Sequence, residues 1–262
     1  MDFNDSNQLK VFFDAHQDLP RQGPGNRAST ERALDLAGDL PEAPRILDIG
    51  CGPGVQTLDL ARARPDARIT AVDLHEPFLA EASRRVAAAG AADRVTFERA
   101  DMAALRYPDA SFDLIWCEGA AYILGVEHAL IQWQRLLRPA GVIALTDAVW
   151  LVADPPEPLN GWWRSNYPDM ASIAERRALV EECGYRLLGD FVLPESAWWE
   201  PYYTPMEARL DRLKVKYADD PSAQAVLTDC QVEIDYYRRY PNCYGYLFLV
   251  MQSQRGAARP DP

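Results

Sequence analysis

The 262-residue chain has only three histidines and five cysteines, and the cysteines form no CxxC pair. An odd cysteine number without that spacing argues against both a disulfide framework and a zinc site, and no metal is expected. No cluster of Lys and Arg interrupts a formal net charge of −12, so a phosphate backbone has nothing to bind. Nucleic acid is therefore excluded as an expected partner. No apolar run reaches the length of a membrane span, and the start, MDFNDSNQLK, lacks a basic stretch followed by an apolar one. A cytoplasmic protein with no membrane partner is the expectation that fits these absences and the reduced cysteines. Internal repeats and low-complexity tracts are also lacking. What is present is 48% hydrophobic content over a length that buries roughly three quarters of the unfolded surface. One main domain with an insertion is expected.

The rest of the chain is organised around residues 45–60, RILDIGCGPGVQTLDL. A short apolar run stops at Asp48, passes through Gly50, Gly52 and Gly54, and restarts as an amphipathic pattern from Val55. That reads as strand, glycine turn, helix. Without Cβ atoms the turn can take positive φ and let a ligand approach the main chain, and the helix points its free N–H groups into it. The spacing is GxGxG with an acid two residues before it, whereas the dinucleotide fingerprint is GxGxxG. A second acid, Asp73, closes the apolar run RITAVD about twenty residues on, which suits a ribose diol.

Strands are predicted at 45–49, 68–72, 94–98, 112–117 and 141–147, and helices at 55–63, 76–89 and 126–137. Such alternation predicts an α/β fold, a parallel sheet with helices on both faces. Before it, residues 1–8 read as frayed, Leu9, Phe12, Phe13 and His16 have helical spacing, PRQGPGN reads as a loop, and Ser29 or Thr30 as the cap of a helix to Ala37. After Asp147 the stretch VWLVADPPEPLNGWWRSNYP reads as a structured loop. A helix over 171–183, a strand over 185–193, two helices over 205–217 and 222–240, and a last strand, CYGYLFLVMQ, follow.

The stretch 45–60 resembles motif I of the class I S-adenosylmethionine-dependent methyltransferases, and the segments up to Asp147 keep matching. The broad group includes quinone-biosynthesis methyltransferases acting on small molecules. The resemblance implies a Rossmann-like seven-stranded sheet whose last strand enters antiparallel between the fifth and sixth. It implies S-adenosyl-L-methionine as cofactor, with Gly50, Gly52 and Gly54 passing under its methionine part and Asp48 supporting that turn. Asp73, with Leu74 beside it, would take the ribose hydroxyls; Asp101 in VTFERADM would bind the adenine amine, with Met102 beside the ring. Main-chain groups near Cys117 and Glu118, after SFDLIWCEGA, would face the reacting methyl. Pro139 and Gly141 match the turn into strand five, where Ala140 stands in place of a usual second glycine. Residues 1–44 would be a helical lid, 45–193 with 241–252 the core, 194–240 a helical insert covering the substrate or forming a homodimer contact, and 253–262 a disordered tail.

Methyl transfer to a small-molecule acceptor is an in-line displacement in which the enzyme mainly supplies alignment. If the nucleophile needs a base, Glu118 is the first candidate, then Tyr122, then His16. His75 reads as the start of a helix and His128 as a surface residue. Trp198, Trp199, Tyr202 and Tyr203 have helical spacing and read either as an apolar helix face or as a substrate wall. Two other functions stay open: a catalytically silent adenosylmethionine-binding protein and an NAD-dependent oxidoreductase, the latter disfavoured by the glycine spacing. The acceptor atom, O, N, S or C, is not fixed by the sequence.

Overall fold

The computed structural model describes residues 5–254. The first half alternates as the apolar periodicity demands: β1 (Arg45–Ile49), α3 (Val55–Ala63), β2 (Arg68–Asp73), α4 (Glu76–Ala88), β3 (Val95–Arg99), β4 (Phe112–Cys117), α5 (Val126–Trp133) and β5 (Leu137–Trp150). Two helices precede it, α1 (Ser6–His16) and α2 (Arg27–Ala37). The second half contains α6 (Glu157–Asn166), a short β6 (Ala171–Ser172), α7 (Ile173–Glu182), β7 (Tyr185–Val192), α8 (Ser196–Trp198), α9 (Thr204–Lys216), α10 (Pro221–Arg239) and β8 (Tyr244–Ser253).

The sheet order is β3-β2-β1-β4-β5-β8-β7, parallel except for β8, which lies antiparallel between β5 and β7. This is the expected arrangement with one strand more, because two residues of β6 pair with the end of β5. Consecutive strand residues face opposite cores, so both faces are buried and the strands read as near-continuous apolar runs. Leu47, Ile115 and Ile143 pack with α5 and α7, while Ile46, Leu114 and Val142 pack with α2, α3 and α4.

Several expectations are corrected. Residues 1–4 and 255–262 lie outside the described residues, and with them parts of the frayed start and most of the disordered tail. Helix α1 already begins at Ser6, capped by Asp5, which accepts from the N–H groups of Asn7 and Gln8. The cap of α2 is Asn26, which accepts from Ser29 N, rather than Ser29 or Thr30. Strand β5 runs on to Trp150, and the stretch read as a loop contains α6, started by prolines at 156 and 158 whose missing N–H groups cost nothing in a first turn.

Between α8 and α9 the chain makes one π-helical turn over Trp199–Tyr203. Pro201 and Pro205 lack the N–H that a regular α-helical ladder would use there. The wider turn buries Trp198, Tyr202 and Tyr203 together, in a third core shared by α1, α6, α9 and α10. Helix α1 is fastened to the α9–α10 pair: Asp14 accepts from Lys216 Nζ at 2.7 Å and from Tyr217, its carbonyl accepts from Arg209, and Asn7 donates to Asp220. The N-terminal helix and the insert are thus one packed unit beside the sheet.

Candidate active site

At the end of β1 the glycine turn is left-handed throughout, with φ of 70°, 51° and 75° at Gly50, Gly52 and Gly54. A Cβ on Gly50 would lie 2.5 Å from Ala120 Cβ, and one on Gly54 2.6 Å from Ala82 Cβ, so conformation and space both require glycine. Asp73, ending β2, accepts from Gly52 N and from His75 N, each at 2.9 Å, and so ties the glycine turn to the start of α4. Leu74 beside it is 59% exposed. Met102 lies at the same turn, its Cε 3.8 Å from the Gly50 Cβ position, and its carbonyl accepts from Trp133 Nε1. Asp101 is exposed and accepts from Ala103 N, forming a local turn.

Asp48 is fully buried beneath the turn. Its Oδ2 accepts from Thr57, while its Oδ1 has no hydrogen-bond partner among the described residues. Burial pushes its carboxyl up to about 7, against the pull of Thr57, with Glu118 and Asp73 adding to the rise. A buried carboxylate oxygen without a donor, under a glycine cradle, fits a ligand that brings a cationic group. The residues present therefore fit S-adenosylmethionine, with its ammonium and sulfonium charges.

Beyond the end of β4 opens a cavity of about 250 Å³. It is lined by Gly119 and Tyr122 after β4, Asp147 of β5, residues of α6, Tyr202 of the π-helical turn and Glu233 of α10. Gly119 N donates to Thr146 Oγ1 at 2.8 Å, joining the ends of β4 and β5. Asp147 accepts from Arg176 Nε at 2.6 Å and from Tyr167 OH at 2.8 Å, a buried network no sequence spacing announces.

The candidates for a base separate here. Glu118, the first candidate, does not line the cavity. It accepts from Arg21 Nη1 at 2.7 Å, Trp116 Nε1 at 2.9 Å and Thr30 Oγ1 at 3.1 Å, and Arg21 also holds Asp59 at 3.0 Å. Held by three donors, one of them a guanidinium, this carboxylate clasps the N-terminal loop to the end of β4. The Cys117 side chain points into the core, where burial pushes its thiol up, so only its main chain can serve the site. Tyr122 borders the cavity, and loss of solvent around its phenol, with Glu233 nearby, raises its pKa.

His16 also borders the cavity. Its Nδ1 lies 2.8 Å from Phe12 O, so that nitrogen carries the proton, and Nε2 is left to accept from Tyr202 OH at 3.3 Å. Burial lowers its pKa to about 4, which keeps the imidazole neutral. His75 is the N-cap of α4, stacked 3.8 Å from the Phe13 ring, and His128 is exposed, both as expected. Of the four grouped aromatics, Tyr202 reaches the cavity, while Trp198 and Tyr203 are core.

Sheet order, glycine turn and flanking acids are those that the resemblance to class I methyltransferases implies. Residues 46–141 match a family model described as a methyltransferase domain. The chain is similar to 27-O-demethylrifamycin SV methyltransferase of Amycolatopsis mediterranei, 42% identical over 123 residues that cover 45% of each sequence. Among solved structures it resembles YjhP from E. coli, with a TM-score of 0.80 and 22% identity, covering 94% of this chain and all of that one. It also resembles a methyltransferase from Geobacter sulfurreducens in complex with S-adenosyl-L-homocysteine, with a TM-score of 0.78 and 24% identity, covering 94% and 98%. The aligned part spans less than two thirds of the curated relatives it matches.

Proposed function

We propose that this protein transfers a methyl group from S-adenosylmethionine to a small molecule held in the aromatic cavity. One observation carries the reading: the left-handed glycine cradle, flanked by Asp48 and Asp73, lies directly beside that cavity, Ala120 touching the Gly50 Cβ position and its neighbour Gly119 bordering the cavity. When bound, S-adenosylmethionine supplies a methyl on a sulfonium sulfur, and sulfur departs neutral. The chain's own groups then have three tasks. Gly50, Gly52 and Gly54 admit the cofactor to the main chain, with Asp48 Oδ1 accepting from its cationic end. Asp73 takes the ribose, and Leu74, Asp101 and Met102 bound the adenine. The cavity walls hold the acceptor and exclude water.

No acid is required of this site. Where the acceptor must lose a proton, His16 and Tyr122 are the candidates that border the cavity, with Glu118 as the clasp that positions the loop between α1 and α2. The α9–α10 insert and α1 act as the substrate cover. A homodimer contact through residues 194–240 is the other role proposed for the insert. A cytoplasmic enzyme without nucleic-acid substrates remains part of the proposal, supported by the net charge of −12; no helix among the described residues is long and apolar enough to cross a membrane.

The test is to incubate the protein with methyl-labelled S-adenosylmethionine and metabolite extracts, and to read labelled products by mass spectrometry. A labelled product absent with the Gly50→Ala variant is expected. Cofactor binding with no product from any extract would favour the silent binding protein, and binding of NAD in place of S-adenosylmethionine the oxidoreductase.

A further inference from the structure

The cavity has an unusual charge balance. Its lining contains Asp147, Asp229 and Glu233, and no Lys or Arg among the described residues. Asp147 is matched by Arg176, whereas among the described residues Glu233 accepts from the neutral Tyr203 OH alone, at 2.9 Å. The nearby guanidinium groups are engaged elsewhere: Arg21 with Asp59 and Glu118, Arg209 with Asp18. The remaining walls are rich in rings, among them Phe12, Tyr122, Trp162 and Tyr246.

Burial raises the phenol pKa of Tyr122, Tyr202 and Tyr246 on other elements, and proximity to Glu233 adds to each rise. Burial in turn pushes the Glu233 carboxyl above its ordinary range. A desolvated carboxylate among aromatic faces is stabilised by a cation, and the ring faces attract the same charge. A carboxylate or phosphate on the acceptor would meet no compensating charge on any described wall.

Resting on the methyl-transfer reading, we infer that the acceptor is an organic cation, an ammonium-bearing molecule with an apolar body, whose charge sits between Glu233 and the ring walls. The cavity volume of about 250 Å³ suits a small amine of this kind. Glu233 fixes which molecule enters and how it lies, without touching the transferred methyl.

The experiment uses the full chain and has two steps. Calorimetry first establishes S-adenosylhomocysteine binding. The loaded protein is then titrated with benzyltrimethylammonium, benzyl alcohol and phenylacetate, which share a benzyl group and differ in charge. The expected result is binding of the cation at least about tenfold tighter than either other probe, and a loss of about tenfold or more in Glu233→Gln with S-adenosylhomocysteine affinity unchanged. The comparison of probes on the wild-type protein stands even if the variant does not fold. If the loaded protein binds the three probes alike, or prefers the neutral or anionic one, the inference is overturned while the methyl-transfer reading survives. If S-adenosylhomocysteine itself does not bind, both fall.

Discussion

At the ends of β1 and β2 the site is made of main chain: three left-handed glycines, the N-terminus of α3, and Asp73 bonded to two backbone N–H groups. Across Gly119 it is made of side chains carried by α1, β5, α6, the π-helical turn, α10 and β8. On the proposed reading the first region takes the cofactor, using geometry that neighbouring residues alone determine. The second depends on groups far apart in sequence, so its chemistry can change while the sheet stays as it is.

The comparison breaks most readily at the buried networks. Arg176→Ala should leave Asp147 buried without its cation and cost about 3–5 kcal/mol of stability, read as the shift of a denaturation midpoint. Loss of the acceptor cavity with S-adenosylhomocysteine binding retained in the surviving folded protein would sharpen the division. Gly50→Ala is the counterpart on the cofactor side. Its Cβ would collide with Ala120 in a left-handed conformation, and about 2–4 kcal/mol of destabilisation is expected together with loss of cofactor binding. Wild-type affinity in this variant would mean that the cradle is not the seat.

A smaller effect concerns pH, where the two regions oppose each other. His16 has a folded pKa of about 4, below its ordinary 6.5, so the unfolded chain binds more protons between these values and stability falls as pH drops through that window. Asp48 has a folded pKa of about 7, above its ordinary 3.8, so the folded chain binds more protons and stability falls as pH rises from 3.8 to 7. Between pH 4 and 6.5 the two contributions therefore have opposite signs. Asp48→Asn should be more stable than wild type at pH 8, by about 1–3 kcal/mol, and bind cofactor more weakly. His16→Gln should lose less stability on acidification than wild type. Chemical denaturation of both variants across pH 4 to 8 checks the two signs.

The smallest effect is at Ala140, whose φ is 60° where the family resemblance leads one to expect glycine. Ala140→Gly should raise stability by up to about 1 kcal/mol, because relief of left-handed strain exceeds the added freedom of the unfolded chain. A lower melting temperature would show that the strain is not there.

What could be read beforehand follows the same division. The strands, the glycine turn and Asp73 were legible because period and turn chemistry are local properties, and the antiparallel last strand followed from the resemblance. The pairing of Glu118 with Arg21 could not be read, because the two lie 97 residues apart and no spacing reveals it. Helix α6 was legible in principle: prolines at 156 and 158 before Leu159, Trp162 and Trp163 make a helix start, but four prolines in one stretch suggested a loop. The π-helical turn redirected aromatics whose α-helical spacing pointed to one continuous face. Glu233 had no local signal at all; its meaning comes only from the rings that fold around it.

The most direct measurement of the central claim is a calorimetric titration of S-adenosylhomocysteine into the wild-type protein and into Asp73→Ala. The account predicts one site per chain, and a loss of about 100-fold or more in the variant, since two charge-assisted hydrogen bonds to the ligand are removed and the glycine turn is untied. Unchanged affinity in Asp73→Ala, or no binding by the folded wild-type protein, would contradict it.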